Sequence, residues 1–141
     1  MQLERESMRF SLRPVPPFRL DWTVWALRRR AMNAVDRWDG STYQRGITLD
    51  GNAALIAVTQ HQGMLEVVVT GMHLPASARQ SATDTIERLL GIRVNLSRFY
   101  EFSKTNPRLH QLATQFRGMK PPRFATVFEA WSTESLASNS A

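Results

Sequence analysis

Apolar and polar positions repeat with two different periods along this chain, and the change from one to the other divides it. From Ser41 to Thr70 the period is two. Ser41–Leu49 places Tyr43, Ile47 and Leu49 on one side, with Arg45 among them. Asp50-Gly51 then reads as a two-residue hairpin turn, because both of its positions favour positive φ. Ala53–Gln60 is the return strand, His61-Gln62-Gly63 turns again, and Met64–Thr70 alternates with Leu65, Val67 and Val69 inward. These segments predict an antiparallel meander. Phe10–Pro14 also alternates, until Pro14, Pro16 and Pro17 stop regular pairing. A sheet of about four strands is therefore expected. Residues 1–9 are polar and read as a disordered leader.

Elsewhere the period is helical. Asp21 suits a helix N-cap. Trp22, Val24, Trp25, Ala26, Leu27 and Ala31 follow on a wide apolar face, with Arg28-Arg29-Arg30 in the last turn, so a helix is expected over 21–31. Cations there complement the negative end of the helix dipole. Ala78, Ala82, Ile86, Leu89 and Leu90 predict a second helix, which Gly91 is placed to end in the left-handed region. Asn95 can cap a short helix carrying Leu96, Phe99, Tyr100 and Phe102. Asn106-Pro107 joins an N-cap to a proline at the first helical position, ahead of Leu109, Leu112, Ala113 and Phe116, with Gly118 as the stop. Lys120-Pro-Pro-Arg123 must be extended, and Thr126-Val-Phe-Glu129 has capping-box spacing. Residues 132–141 hold four Ser and one large apolar residue, too little to bury a face, and are expected to be disordered.

At 141 residues the chain has room for about one domain. It has no Cys, which excludes disulfides and thiolate metal sites and fits a cytoplasmic protein. No apolar run approaches the ~18 residues of a membrane span. Charge adds more. Lys+Arg number 18 against 12 Asp+Glu, for a net charge of +6. Only Lys104 and Lys120 are lysines, so 16 of these cations are Arg. Arg keeps its charge and offers a planar donor fork suited to phosphate, so nucleic acid is the partner the balance favours, with a plain solvated basic surface as the other reading.

Visible catalytic machinery is sparse. His61, His73 and His110 share no metal-ligand spacing, and there is no glycine-rich phosphate loop, so neither a metal nor a cofactor is expected. Asp36 and Asp39 flank Trp38 and would suit acid–base work, but Asp39-Gly40 reads better as a turn. Trp22 and Trp25 fit two roles: stacking on bases, or core residues of a helix packed on the sheet, and helical spacing favours the core. Arg117, Lys120 and Arg123 bring three cations to a partly extended segment. These are the candidate phosphate contacts, with a plain linker as the other reading.

Trp25-Ala-Leu-Arg-Arg-Arg30, Asn33, Val35-Asp36-Arg37-Trp38-Asp39-Gly40, Tyr43 and Arg45 resemble the N-terminal domain of DNA-3-methyladenine glycosylase II, of the helix-hairpin-helix glycosylase superfamily. Leu89-Leu90-Gly91, Leu96-Ser97-Arg98-Phe99-Tyr100, Phe116-Arg117-Gly118, Pro121-Pro122-Arg123-Phe124 and Phe128-Glu129-Ala130 agree in order, over about residues 10–130. The resemblance implies an α+β domain over 10–93, similar to half of a TATA-binding protein. The first helices of an incomplete all-α domain would follow over 94–131. It implies base-excision repair: an alkylated purine is flipped from double-stranded DNA, because the reacting bond is out of reach inside the stack, and its N-glycosidic bond is hydrolysed without a metal. The family's catalytic Asp and its helix-hairpin-helix have no counterpart here, so no catalytic residue is carried over. Trp25 is nearest to an aromatic that borders the base pocket in some relatives.

The expected chain is thus an N-terminal fragment, inactive alone, with a separately encoded C-terminal half as one partner. The alternative is a stand-alone, non-enzymatic module that binds nucleic acid. Codons can be chosen for Trp131–Ser140 that read, one base out of frame, Leu-Val-Asn-Gly-Ile-Ala-Cys-Gln-Gln-Leu, the kind of continuation the family shows. The tail over 132–141 is therefore expected to be the product of a one-base deletion near codon 130.

Overall fold

A computed structural model describes residues 4–28 and 35–121. Several expectations lie outside those residues: Arg29 and Arg30 in the last turn of the first helix, Arg123, the helix opening at Thr126, and the tail over 132–141.

Five strands form one antiparallel sheet: β1 (Glu6–Leu12), β2 (Arg37–Trp38), β3 (Thr42–Leu49), β4 (Asn52–His61) and β5 (Met64–Gly71), in the order β1-β5-β4-β3-β2. The meander follows from its two turns. Asp50-Gly51 has φ of 49° and 82°, and Gln62-Gly63 has 51° and 79°. Positive φ at both central residues gives the turn twist that matches right-twisted strands. The resulting register pairs Tyr43 with Val58 and Val58 with Val67. Tyr43, Leu49, Ile56, Val58, Leu65, Val67 and Val69 all point to one face and are buried.

That face is covered by helices α1 (Leu20–Leu27) and α2 (Ala78–Leu90). In α2, Ala78, Ala82, Ile86, Leu89 and Leu90 are fully buried, at the spacing their sequence predicts. Each large side chain taken from water here contributes about 1.5–3 kcal/mol. Gly91 ends α2 at φ 60°. It also has no room for a side chain, since a Cβ there would stand 3.0 Å from the Pro121 carbonyl oxygen. The opposite sheet face is open, with Gly46, Thr48, Ala53 and Leu55 exposed.

Two further helices follow, α3 (Ser97–Ser103) and α4 (Pro107–Gln115). Asn106 caps α4 as expected, its Oδ1 accepting from Arg108 N (3.0 Å) and Leu109 N (3.2 Å). Residues 118–121 then return to the sheet domain. Arg19 N donates to Gly118 O at 2.8 Å, and Lys120 N donates to Thr23 Oγ1 at 3.1 Å.

Two expectations on the sheet are corrected. The strand expected from Phe10 opens at Glu6, inside the stretch read as a disordered leader. Its outward residues Ser7 and Arg9 are polar because it is an edge strand, while Met8 packs against the core. The sheet also has five strands, since two residues, Arg37 and Trp38, pair with Gln44 and Tyr43. A pair that short carries no periodic pattern.

Candidate functional site

The first helix turns a different face to the sheet from the one its tryptophans suggest. Leu20, Thr23 and Val24 are its buried residues, and Leu27 packs on the core. Asp21 does not cap it. Arg19 holds the cap position without a side-chain cap bond, and the β4 side chain of Gln60 serves instead. Leu20 N donates to Gln60 Oε1 at 2.8 Å, and Gln60 Nε2 donates to Phe18 O at 2.9 Å. Asp21 is in the first turn, bound by Arg19 Nε at 3.1 Å and Nη2 at 2.6 Å. Partial desolvation would raise its carboxyl, but the bonds from Arg19 and Trp22 N outweigh that and hold it below the usual range.

With Thr23 and Val24 turned inward, Trp22 and Trp25 face the end of α4. This corrects the expectation of two core tryptophans packed on the sheet. Trp22 meets Phe116 edge to face at 5.1 Å and Trp25 at 6.0 Å. Trp25 lies nearly parallel to Phe116, at 6.1 Å between centroids and 11° between planes. It is nevertheless 57% exposed. The Arg19 guanidinium covers the Trp22 ring at 5.2 Å. The result is a braced aromatic group with one bare indole. Rings so arranged gain about 0.5–1.5 kcal/mol per pair beyond area burial, so Trp25 is held in place although it is exposed.

Two of the three cations expected to contact phosphate, Arg117 and Lys120, are placed differently. Arg117 follows Phe116, is exposed, and lies 4.9 Å over the Tyr100 ring. Lys120 is fully buried, and its Nζ donates to the Val94 carbonyl. Desolvation pulls its ammonium below the usual lysine range. A phosphate has no access to it in this arrangement, so Lys120 is a structural residue joining the return segment to the end of α2. Arg123 lies outside the described residues.

The two aspartates near Trp38 also separate into different roles. Asp39 makes a turn: its Oδ1 accepts from Thr42 N at 2.8 Å and Ser41 N at 2.9 Å. Those bonds, Thr42 first, hold its carboxyl below the usual range. Asp36 is buried and was missed by sequence reasoning as a core group. Its Oδ1 accepts from Tyr43 Oη at 2.5 Å and from Arg45 Nη1 at 3.0 Å. Burial, and then the neighbouring Asp36 charge, push the Tyr43 hydroxyl far above its usual value. The available clue was Arg45, a charge at an inward position of a strand, which needs a buried counter-charge.

His61, His73 and His110 are exposed. Among the described residues no group of three metal-ligating side chains comes together. No helix among them is long and apolar enough to cross a membrane.

The family model described as "AlkA N-terminal domain" matches residues 8–126. Among solved structures, the 3-methyladenine DNA-glycosylase from Archaeoglobus fulgidus is similar, with a TM-score of 0.63 at 19% identity. The match covers 86% of this chain and 41% of that one, so this chain spans about two fifths of that protein's length. At that identity the likeness establishes the α+β fold. Comparison with curated proteins gives no match.

Proposed function

Because the chain belongs to the AlkA N-terminal domain family, we propose that it is the non-catalytic N-terminal part of a DNA glycosylase that removes alkylated purines, and that it excises nothing alone. The observation that carries this reading is the family match over residues 8–126. The exposed Trp25 supports it. In the complete enzyme, this indole forms one wall of the pocket that receives the flipped base. Phe116 backs it in parallel and Trp22 fixes its edge, so the wall is formed before the base arrives. Stacking a base on such a ring contributes about 1–3 kcal/mol. The exposed Arg117 beside that group offers a phosphate contact. The catalytic carboxylate would come from a C-terminal part of the kind that the longer glycosylase structure has room for.

The test is excision from a duplex containing an alkylated adenine. One arm uses this chain alone, the other a version with one base restored at codon 130. Activity in the restored protein only is the expected result, with a roughly ten-fold or greater loss on Trp25→Ala. Excision by the short chain would overturn the proposal. No excision from either, with DNA bound in a strongly salt-dependent way, would make the chain a binding module instead.

A further inference from the structure

Strand β1 sits at the sheet edge, and its side chains divide into two sets. Met8, Phe10 and Leu12 turn toward the core. Ser7, Arg9 and Ser11 take the other face, and all three are exposed. Arg5 and Arg13 bracket the strand at the same odd-numbered spacing and are also exposed, as are the neighbouring Glu4 and Glu6. The outer row thus reads Arg5-Ser7-Arg9-Ser11-Arg13, a cation at every fourth residue with a hydroxyl between each pair. Successive arginines are ~13 Å apart along an extended strand, and the row is ~26 Å long.

From this row we infer a contact surface for the phosphodiester backbone of nucleic acid, running along the outer face of β1. The charge suits it: duplex DNA carries one phosphate per ~1.7 Å of axis over its two strands, so phosphates are dense on the scale of a ~26 Å row of three guanidiniums. The chemistry suits it too, since guanidinium forks and hydroxyls are the usual donors to phosphate oxygens. Arg9 Nη1 donates to Glu66 Oε1, but that pair is well exposed, with 69% and 43% of the two side chains accessible. Exposed pairs of this kind contribute little to stability, so a phosphate can share or displace the carboxylate at small cost. The row lies along the face of a sheet edge and is assigned to the backbone, so binding is expected to vary little with sequence. The inference does not depend on the glycosylase reading, and its test measures no excision.

The experiment is fluorescence anisotropy of the full chain with a labelled duplex of about 20 base pairs, from about 50 to 200 mM salt. Combined Arg5→Gln, Arg9→Gln and Arg13→Gln should lower affinity roughly ten-fold or more and flatten the log–log salt slope by about 2–3, at ~0.9 per lost contact. Arg93→Gln, Arg98→Gln and Arg108→Gln together, with the same loss of charge, should retain the wild-type slope. Arg13→Gln alone lies outside the strand ladder and should remove about 0.9 of slope even if the triple variant fails to fold. An unchanged slope in the β1 variants overturns the inference, as does an equal loss in the control triple. It is also overturned if the β1 triple aggregates with DNA affinity intact, which would make the row a guard against edge pairing. Tighter binding to phosphatidylserine vesicles than to duplex, with the same dependence on these arginines, would assign the row to membrane and overturn it as well.

Discussion

At the scale of single residues, the fold decides which charges are available for function. Lys120 and Arg117 lie three positions apart in one basic segment, yet one is fully buried and the other exposed. The difference comes from Thr23, whose hydroxyl holds the Lys120 backbone against α1, and from the Val94 carbonyl, which accepts the ammonium. Burial lowers the folded-state pKa of Lys120 below the unfolded value near 10.5. The unfolded chain therefore binds this proton more tightly, and the charged ammonium penalises the folded state at neutral pH. Raising the pH through the folded value toward 10.5 relieves that penalty, so this group's contribution to stability climbs. Urea unfolding at steps from pH 7 to 10 should show the climb, and Lys120→Met should flatten it. An identical pH profile in the variant would mean that the ammonium reaches water. No reading of residue types could have placed Lys120 inside, because its burial is set by a contact with a residue 97 positions away.

At the scale of elements, the meander and α2 were legible and the edges were not. Asp50-Gly51 and Gln62-Gly63 carry their turn chemistry locally, and the inward positions of β3, β4 and β5 recur at every second residue, with Arg45 the one charge among them. Edge strand β1 has one buried side and an outward row of Ser and Arg, so residue-by-residue polarity resembles a leader. In α1 the period was correct but the phase was not. Leu20, Val24 and Leu27 also recur at helical spacing, and it is this stripe, with Thr23, that the sheet covers. Large aromatics dominate a sequence pattern, although the side that packs is chosen by the space α2 and the sheet leave. The outward side then needs α4 to be held in place, and Gly118 does that. Its φ is +98°, and a Cβ there would stand 2.8 Å from Arg19 Cγ and 3.0 Å from Arg19 N. Gly118→Ala should therefore cost about 2 kcal/mol, from left-handed strain and crowding together. It should also move Phe116 away from the two tryptophans. Thermal unfolding reads the first effect and a shift of tryptophan emission the second. A stability loss with unchanged emission would separate Gly118 from the aromatic group.

At the scale of the whole molecule, the two halves of the chain differ in how well they bury their apolar surface. The sheet and α2 form a core of buried, mostly aliphatic side chains. In the helices beyond it, Phe99 is 42% exposed, Phe102 64% and Leu112 48%, and Ser103 and Ala113 are the residues those helices bury. With the bare Trp25, that places large apolar side chains on the surface of α1, α3 and α4. A monomer leaves contiguous apolar patches of more than a few hundred Å² exposed only rarely, and larger ones favour association. The net charge of +6 opposes contact between copies at low salt, and that opposition weakens as salt shortens the Debye length from ~30 Å at 0.01 M to ~8 Å at 0.15 M. Sedimentation should therefore show a nearly monomeric chain in dilute salt and a mass that rises with protein concentration near 0.15 M salt. Phe99→Ser, Phe102→Ser and Leu112→Ser together should abolish that rise while leaving the urea midpoint close to wild type, since none of the three is in the core. If the variant associates as before, contact between copies runs through a surface other than α3 and α4, and Trp25→Ser is the next variant to test.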